Sequence, residues 1–162
     1  MNSLKTTYTA NQVINTPTST RSDVKKTSST APSLASALYA RRMTRALVVK
    51  VAAGADGPER CAQAFTVAAT ALAAGVEVSL WLTGEASWFA LPGRAEAFEL
   101  PHSAPLAELR DSVLSGGRLT LCTQCAARRS IGVVDVLTGV RLAGSTTFVE
   151  EVLTDGVQAL VY

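Results

Sequence analysis

The sequence predicts an α/β protein: a three-layer α/β/α sandwich around a mostly parallel five-stranded sheet. Three observations predict it. Short runs such as Ala46-Leu47-Val48-Val49-Lys50-Val51-Ala52 are nearly continuously apolar, as strands buried on both faces are. Segments with apolar residues three or four apart alternate with those runs, as helices packed on a sheet do. A strand, a helix, a glycine and a second strand fit within about 40 residues, which makes a βαβ crossover and therefore a parallel pair.

The first strand, 46–52, ends in the turn cluster Ala53-Gly54-Ala55-Asp56-Gly57-Pro58. Pro58 suits the first turn of a helix, and Glu59 is favourable beside its N-terminus. That helix runs through Cys61, Ala64, Phe65, Ala68, Ala69 and Leu72 until Gly75 stops it. Val76–Leu82 is the second strand, and Thr83-Gly84-Glu85 leads into a short helix around Ala86–Leu91, broken by Pro92-Gly93. Ala95–Leu100 is the candidate third strand, followed by a helix from about Pro105 to Leu114 that Gly116-Gly117 ends. Arg118–Leu121 is then the fourth strand. Helical sequence resumes from Thr123, a last helix spans Ser145–Leu153, and Val157–Tyr162 closes the chain as the fifth strand.

Composition bounds what such a chain can be. Its 162 residues allow one domain of ordinary size. No stretch reaches the ~20 apolar residues of a membrane-spanning helix, so no membrane partner is expected. Charge divides near residue 43. Residues 1–43 carry 15 Ser or Thr and six Lys or Arg against one acid, Asp23. Residues 44–162 carry nine Lys or Arg against twelve acids, a mildly acidic balance that argues against nucleic-acid binding.

The first segment, with no sustained apolar periodicity, cannot bury enough surface to offset its ordering entropy and reads as a disordered basic tail. Its acid-poor, Ser-rich character also resembles an organelle transit peptide ending at Arg41-Arg42, and Met43 is an alternative start of translation. The plain tail or the misplaced start is favoured, with the folded domain at 44–162 and a cytoplasmic location.

In open parallel sheets ligands bind outside the carboxyl ends of the strands. The richest such segment is Leu121-Cys122-Thr123-Gln124-Cys125-Ala126-Ala127-Arg128-Arg129-Ser130. Cys122 lies where the fourth strand ends and a helix begins. There the unpaired N–H groups, the helix dipole and the nearby Arg128 or Arg129 each favour the reactive thiolate. The plainer alternative is a small core residue, since free cysteine is among the most buried types.

Several chemistries share this spacing. Cys122 and Cys125 form a Cys-x-x-Cys able to close a disulfide across one helical turn. A thioredoxin-like reductase carries that motif after an early strand; here it follows the fourth of five. A zinc site would need the isolated Cys61 and His102, or acids, and no metal or cofactor is assigned. Cys122 to Arg128 is also the Cys-x5-Arg outline of a cysteine phosphatase. However, its loop lacks the glycines that turn successive N–H groups inward, and Thr123–Ala127 reads as helix.

The stretch Cys122…Cys125…Arg128-Arg129, with Ser130-Ile131-Gly132 after it, resembles the signature of DsrE/DsrF-like proteins. The opening strand with its Gly-Pro helix start, the segment Val76–Glu85 and the closing strand are similar to theirs, so the resemblance covers roughly 45–162. It implies a DsrEFH-like fold and a sulfur relay in which Cys122 takes a persulfide from a donor protein and hands its terminal sulfur to an acceptor protein. Cys125 would release or resolve that sulfur, and Arg128 and Arg129 would stabilise the anion. The resemblance also implies a homo-oligomer, trimer or hexamer. The sequence departs from the pattern where related chains have Arg-Gly: here Ser130 follows Arg129 and Gly132 comes two places later.

Other residues carry less. Trp81, Trp88, Phe89 and Leu91 cluster near the second strand's end and would form an oligomer interface if exposed, or cover the core. Cys61 reads as core packing, His102 as a surface-loop residue, and Asp56 and Glu85 as helix caps. Two functions of different class follow: a sulfur-relay carrier or sulfurtransferase acting through Cys122, and a non-catalytic oligomeric binding module with a redox-sensitive Cys-x-x-Cys pair.

Overall fold

A computed structural model describes residues 45–162. The expectations for residues 1–43 and for the domain boundary at 44 lie outside the described residues. The strands are β1 (Ala46–Val51), β2 (Glu77–Leu82), β3 (Arg118–Cys122), β4 (Arg141–Ala143) and β5 (Val157–Val161). The helices are α1 (Pro58–Ala73), α2 (Leu106–Gly116), α3 (Thr123–Arg128) and α4 (Ser145–Val152), with a 3-10 helix at Gly84–Ala90. One sheet of order β4-β3-β2-β1-β5 runs through the middle, and every neighbouring pair is parallel.

Register sorts the strand residues onto two unlike faces. Val49, Leu80 and Leu119 stand side by side, as do Val51, Leu82 and Leu121, and all six are buried. They meet Cys61, Ala64, Phe65 and Ala68 of α1 and Leu106 and Val113 of α2 in one apolar core. Each large side chain enclosed there, Phe65 or Leu121 for instance, contributes roughly 1.5–3 kcal/mol. Pro58 opens α1 and Glu59 lies in its first turn, as the sequence predicts.

The opposite face is polar. Lys50 pairs with Trp81 and Trp81 with Thr120, while Ser79 sits beside Arg118 and Thr120 beside Arg141. This face is covered by α4, which buries none of its own residues fully. Instead Glu151 fastens it: the carboxylate accepts from Ser79 Oγ at 2.7 Å, from Trp81 Nε1 at 2.9 Å and from Arg141 Nη2. Phe148 packs edge-on against Trp81 with ring centroids 5.3 Å apart.

Two strand assignments change. Ala95–Leu100 is a series of turns, not the third strand. Its buried residues, Ala95 and the partly buried Phe98, lie three apart, and the Phe98 N–H bonds back to the Ala95 carbonyl. Glu96 is also gripped by both terminal nitrogens of the buried Arg110 on α2, at 2.7 and 3.3 Å. The strand the sequence conceals is β4, three residues long and paired with Thr120–Cys122. Cys122 therefore ends the third strand, not the fourth.

Trp81 and Phe89 are buried and Trp88 and Leu91 pack against the core, so this cluster covers the core rather than offering an interface. Among the described residues no helix is long and apolar enough to cross a membrane.

Candidate functional site around Cys122

Cys122 is the last residue of β3 and the N-cap of α3, with extended backbone angles of −65° and 123°. Strand and helix meet without a loop, and the thiol is left half-buried at the carboxyl edge of the sheet. Burial works against its ionisation. The backbone N–H and the thiol of Cys125, the N–H of Gln124 and the charge of Lys50 outweigh that and bring the Cys122 thiol below its usual range. The N–H groups gather around the sulfur without a strict capping hydrogen bond.

Cys125 lies one turn on, only 8% exposed, and its Sγ accepts the Gly84 N–H at 3.3 Å. Gly84 has φ +49°, and a Cβ there would stand 2.6 Å from the Ala52 carbonyl oxygen, so this seat for the Cys125 sulfur requires glycine. Cys61, by contrast, is sealed in the apolar core, where burial first and the charge of Asp56 second push its thiol up to about 12.

Of the four candidate residues, three share one cavity. Cys122, Cys125 and Arg128 line a space of about 360 Å³ bounded also by Lys50, Trp81 and Phe148. Arg129 does not line it: its guanidinium is turned to Glu85, 2.7 Å away, and to the Cys125 carbonyl at 3.2 Å. Glu85 is thus occupied by Arg129 and by Trp88 Nε1 rather than acting as a helix cap. Asp56 caps nothing either; it accepts the Gly54 N–H at 2.7 Å within the turn after β1. His102 is exposed in a turn, as expected of a surface-loop residue.

Sequence reasoning missed Lys50. The signal was present, a lone cation in an otherwise apolar strand, but only the sheet register shows that it shares a face with Trp81 and Thr120. It also missed Phe148, whose helix lies more than twenty residues from Cys122 along the chain.

The six residues after Cys122 form a helix, not a loop of inward-turned N–H groups, so the phosphatase outline is empty of its phosphate cradle. The all-parallel α/β sheet has a cysteine at the end of β3, where the sequence predicted the end of a fourth strand, with a second cysteine one turn on and arginines after it. Comparison with protein families matches residues 45–161 to the DsrE/DsrF-like family. The chain belongs to that family. Among solved structures it is similar to the YchN protein from E. coli, at 16% identity and a TM-score of 0.61, over 74% of this chain and 100% of that one. At that identity the likeness establishes the fold. No curated protein matches the chain. Family membership supports a sulfur-relay role.

Proposed function

We propose that this protein carries sulfane sulfur as a persulfide on Cys122 and passes it to a protein acceptor. The observation that supports this most is the half-buried Cys122 thiol, held toward the thiolate by the N–H groups of Cys125 and Gln124 and by Lys50, and opening on a cavity.

In the loading step the Cys122 thiolate attacks the terminal sulfur of a donor persulfide, R–S–S–H. A new S–S bond forms on Cys122 as the donor's S–S bond breaks, and its electron pair leaves with the donor as R–S⁻. Delivery repeats the exchange, with the acceptor's thiolate attacking the outer sulfur and Cys122 leaving as thiolate. Cys125 gives a second exit. Its thiol, losing its proton, attacks the inner sulfur, closes a Cys122–Cys125 disulfide and expels the outer sulfur, which leaves with that proton as hydrogen sulfide. The sulfane sulfur is itself the oxidant, so no other is needed. Arg128 presents positive charge to the loaded anion, and Arg129 holds α3 against the 3-10 helix through Glu85.

The partners are donor and acceptor proteins with accessible cysteines and further copies of this chain, as a trimer or hexamer, in the cytoplasm. Exposed apolar residues at the end of α4 and on β5, among them Leu153 and Val161, support the assembly.

Intact mass after incubating the reduced protein with thiosulfate or a loaded cysteine desulfurase tests the reading. A gain of about 32 Da on the wild type, absent in Cys122→Ser and longer-lived in Cys125→Ser, is expected. No adduct on a folded sample with either donor would favour instead a binding module whose cysteine pair is redox-sensitive.

A further inference from the structure

Lys50 is a charge without an ion-pair partner among the described residues. It stands next to the carboxyl end of β1, a strand between β2 and β5, on the face toward α4. Its Nζ lies 5.1 Å from the centroid of the Phe148 ring. A cation–π contact of that kind is worth only about 0.5–1 kcal/mol at a partly exposed site, and it does not by itself account for a lysine among apolar strand residues. Among the described residues neither Lys50 nor Arg128 has a carboxylate within ion-pair distance. Both cations line the cavity that holds Cys122, and no acidic residue among the described ones lines it. Two acids on the flanking elements are engaged elsewhere: Glu85 by Arg129, and Glu151 by Arg141. The cavity thus has two unneutralised positive charges beside a nucleophile, walled by Trp81 and Phe148, which keep the field from being fully screened.

We propose that Lys50 is a specificity-determining residue of the Cys122 site: with Arg128 it makes the cavity over the thiol select anions over neutral molecules of similar size. The proposal rests on the persulfide reading for the identity of its substrate, a sulfur compound that reaches Cys122, and stays on it, as an anion. The charge selection itself does not depend on that reading.

Iodoacetate and iodoacetamide provide the test. Both alkylate the same thiolate and they differ in charge, so the ratio of their rates at one pH cancels the thiolate fraction and reports the cavity alone. The rates are read at the Cys122 peptide by mass spectrometry, with free cysteine in the same buffer as reference. At low salt the iodoacetate-to-iodoacetamide ratio of the wild type is expected to exceed the reference by roughly three- to tenfold and to shrink as salt is added. Lys50→Met should bring the ratio most of the way back to the reference, while Lys50→Arg keeps it. Lys50→Gln serves where the Met variant does not fold.

A wild-type ratio no higher than that of free cysteine, or an unchanged ratio in a folded Lys50→Met or Lys50→Gln protein, overturns the proposal. Anion preference without any sulfur loading would remove the persulfide reading and leave charge selection standing. Loading without anion preference would do the reverse.

Discussion

Three cysteines in one small domain have three different environments, and backbone placement decides each. Cys61 faces the apolar core from α1 and is held protonated by burial; Cys122 caps α3 and is drawn toward the thiolate; Cys125 is tucked under the Gly84 N–H. The same local logic applies to Ser130, which follows Arg129 at the end of α3. Ser130 has φ +54°, the left-handed conformation that a glycine adopts without strain. It follows α3 in a closing motif in which the Ile131 N–H bonds the Ala126 carbonyl at 3.0 Å and the Ser130 N–H bonds the Ala127 carbonyl at 3.2 Å. The serine holds a turn that a glycine would take freely, at the cost of strain. Ser130→Gly should therefore stabilise the fold by about 0.5–1 kcal/mol, the relief of a left-handed side chain less the entropy glycine adds to the unfolded chain. Urea denaturation reads this directly, and a destabilised Ser130→Gly protein would show that the serine side chain has a role of its own.

Among the elements, α4 depends most on a single residue. It has no fully buried side chain, and Glu151 fixes it to the sheet through Ser79, Trp81 and Arg141. Glu151→Ala should cost about 2–3 kcal/mol, because it leaves Arg141 and the Trp81 indole N–H without their acceptor. Phe148 on the same helix would then loosen over the cysteine cavity, and Cys122 alkylation should become less selective. Burial would raise the Glu151 pKa, but the hydrogen bonds from Arg141, Trp81 and Ser79 and the charge of Arg141 prevail and hold it below its ordinary value of 4.5. A depressed carboxylate stabilises the native state above its unfolded pKa and loses that contribution as pH falls through the folded one. The stability gap between wild type and Glu151→Gln should accordingly be full at neutral pH and shrink below about pH 4.5. A gap that stays constant down to pH 2 would mean the carboxylate's charge is not what holds the helix.

For the whole molecule, the two sheet faces are unequally finished. Among the described residues α1 and α2 seal one, while α4 alone covers the other, and β5 lies at the sheet edge with Leu160 and Val161 exposed. An exposed apolar edge strand is a pairing surface that proteins normally cover. If further copies cover it, light scattering should give a mass above one chain, and Val161→Lys with Leu153→Glu should lower that mass without unfolding the domain. A wild type that is monomeric at high concentration would remove the assembly from the proposed function.

Much of this protein is legible in the order of its residues. The βαβ opening, the closing strand, the helix start at Pro58 and the placement of Cys122 at a strand end depend on apolar runs, turn residues and spacing within a dozen positions. Such patterns report local backbone preference and which surface must be buried. What lies beyond them was decided by contacts between distant segments. Arg110 on α2 takes the charge of Glu96 and turns a candidate strand into a series of turns. Three residues, Arg141–Ala143, become a strand because β3 offers them a free edge. Glu85 draws Arg129 away from the cavity across 44 positions of sequence, while Lys50 and Phe148 arrive in it from two other elements. The sequence alone therefore determined the fold class and the place of Cys122 at a strand end. Only tertiary structure decided which charges surround that cysteine, because side-chain pairing is set by which strand faces and helix surfaces meet, and a linear pattern does not contain those distances.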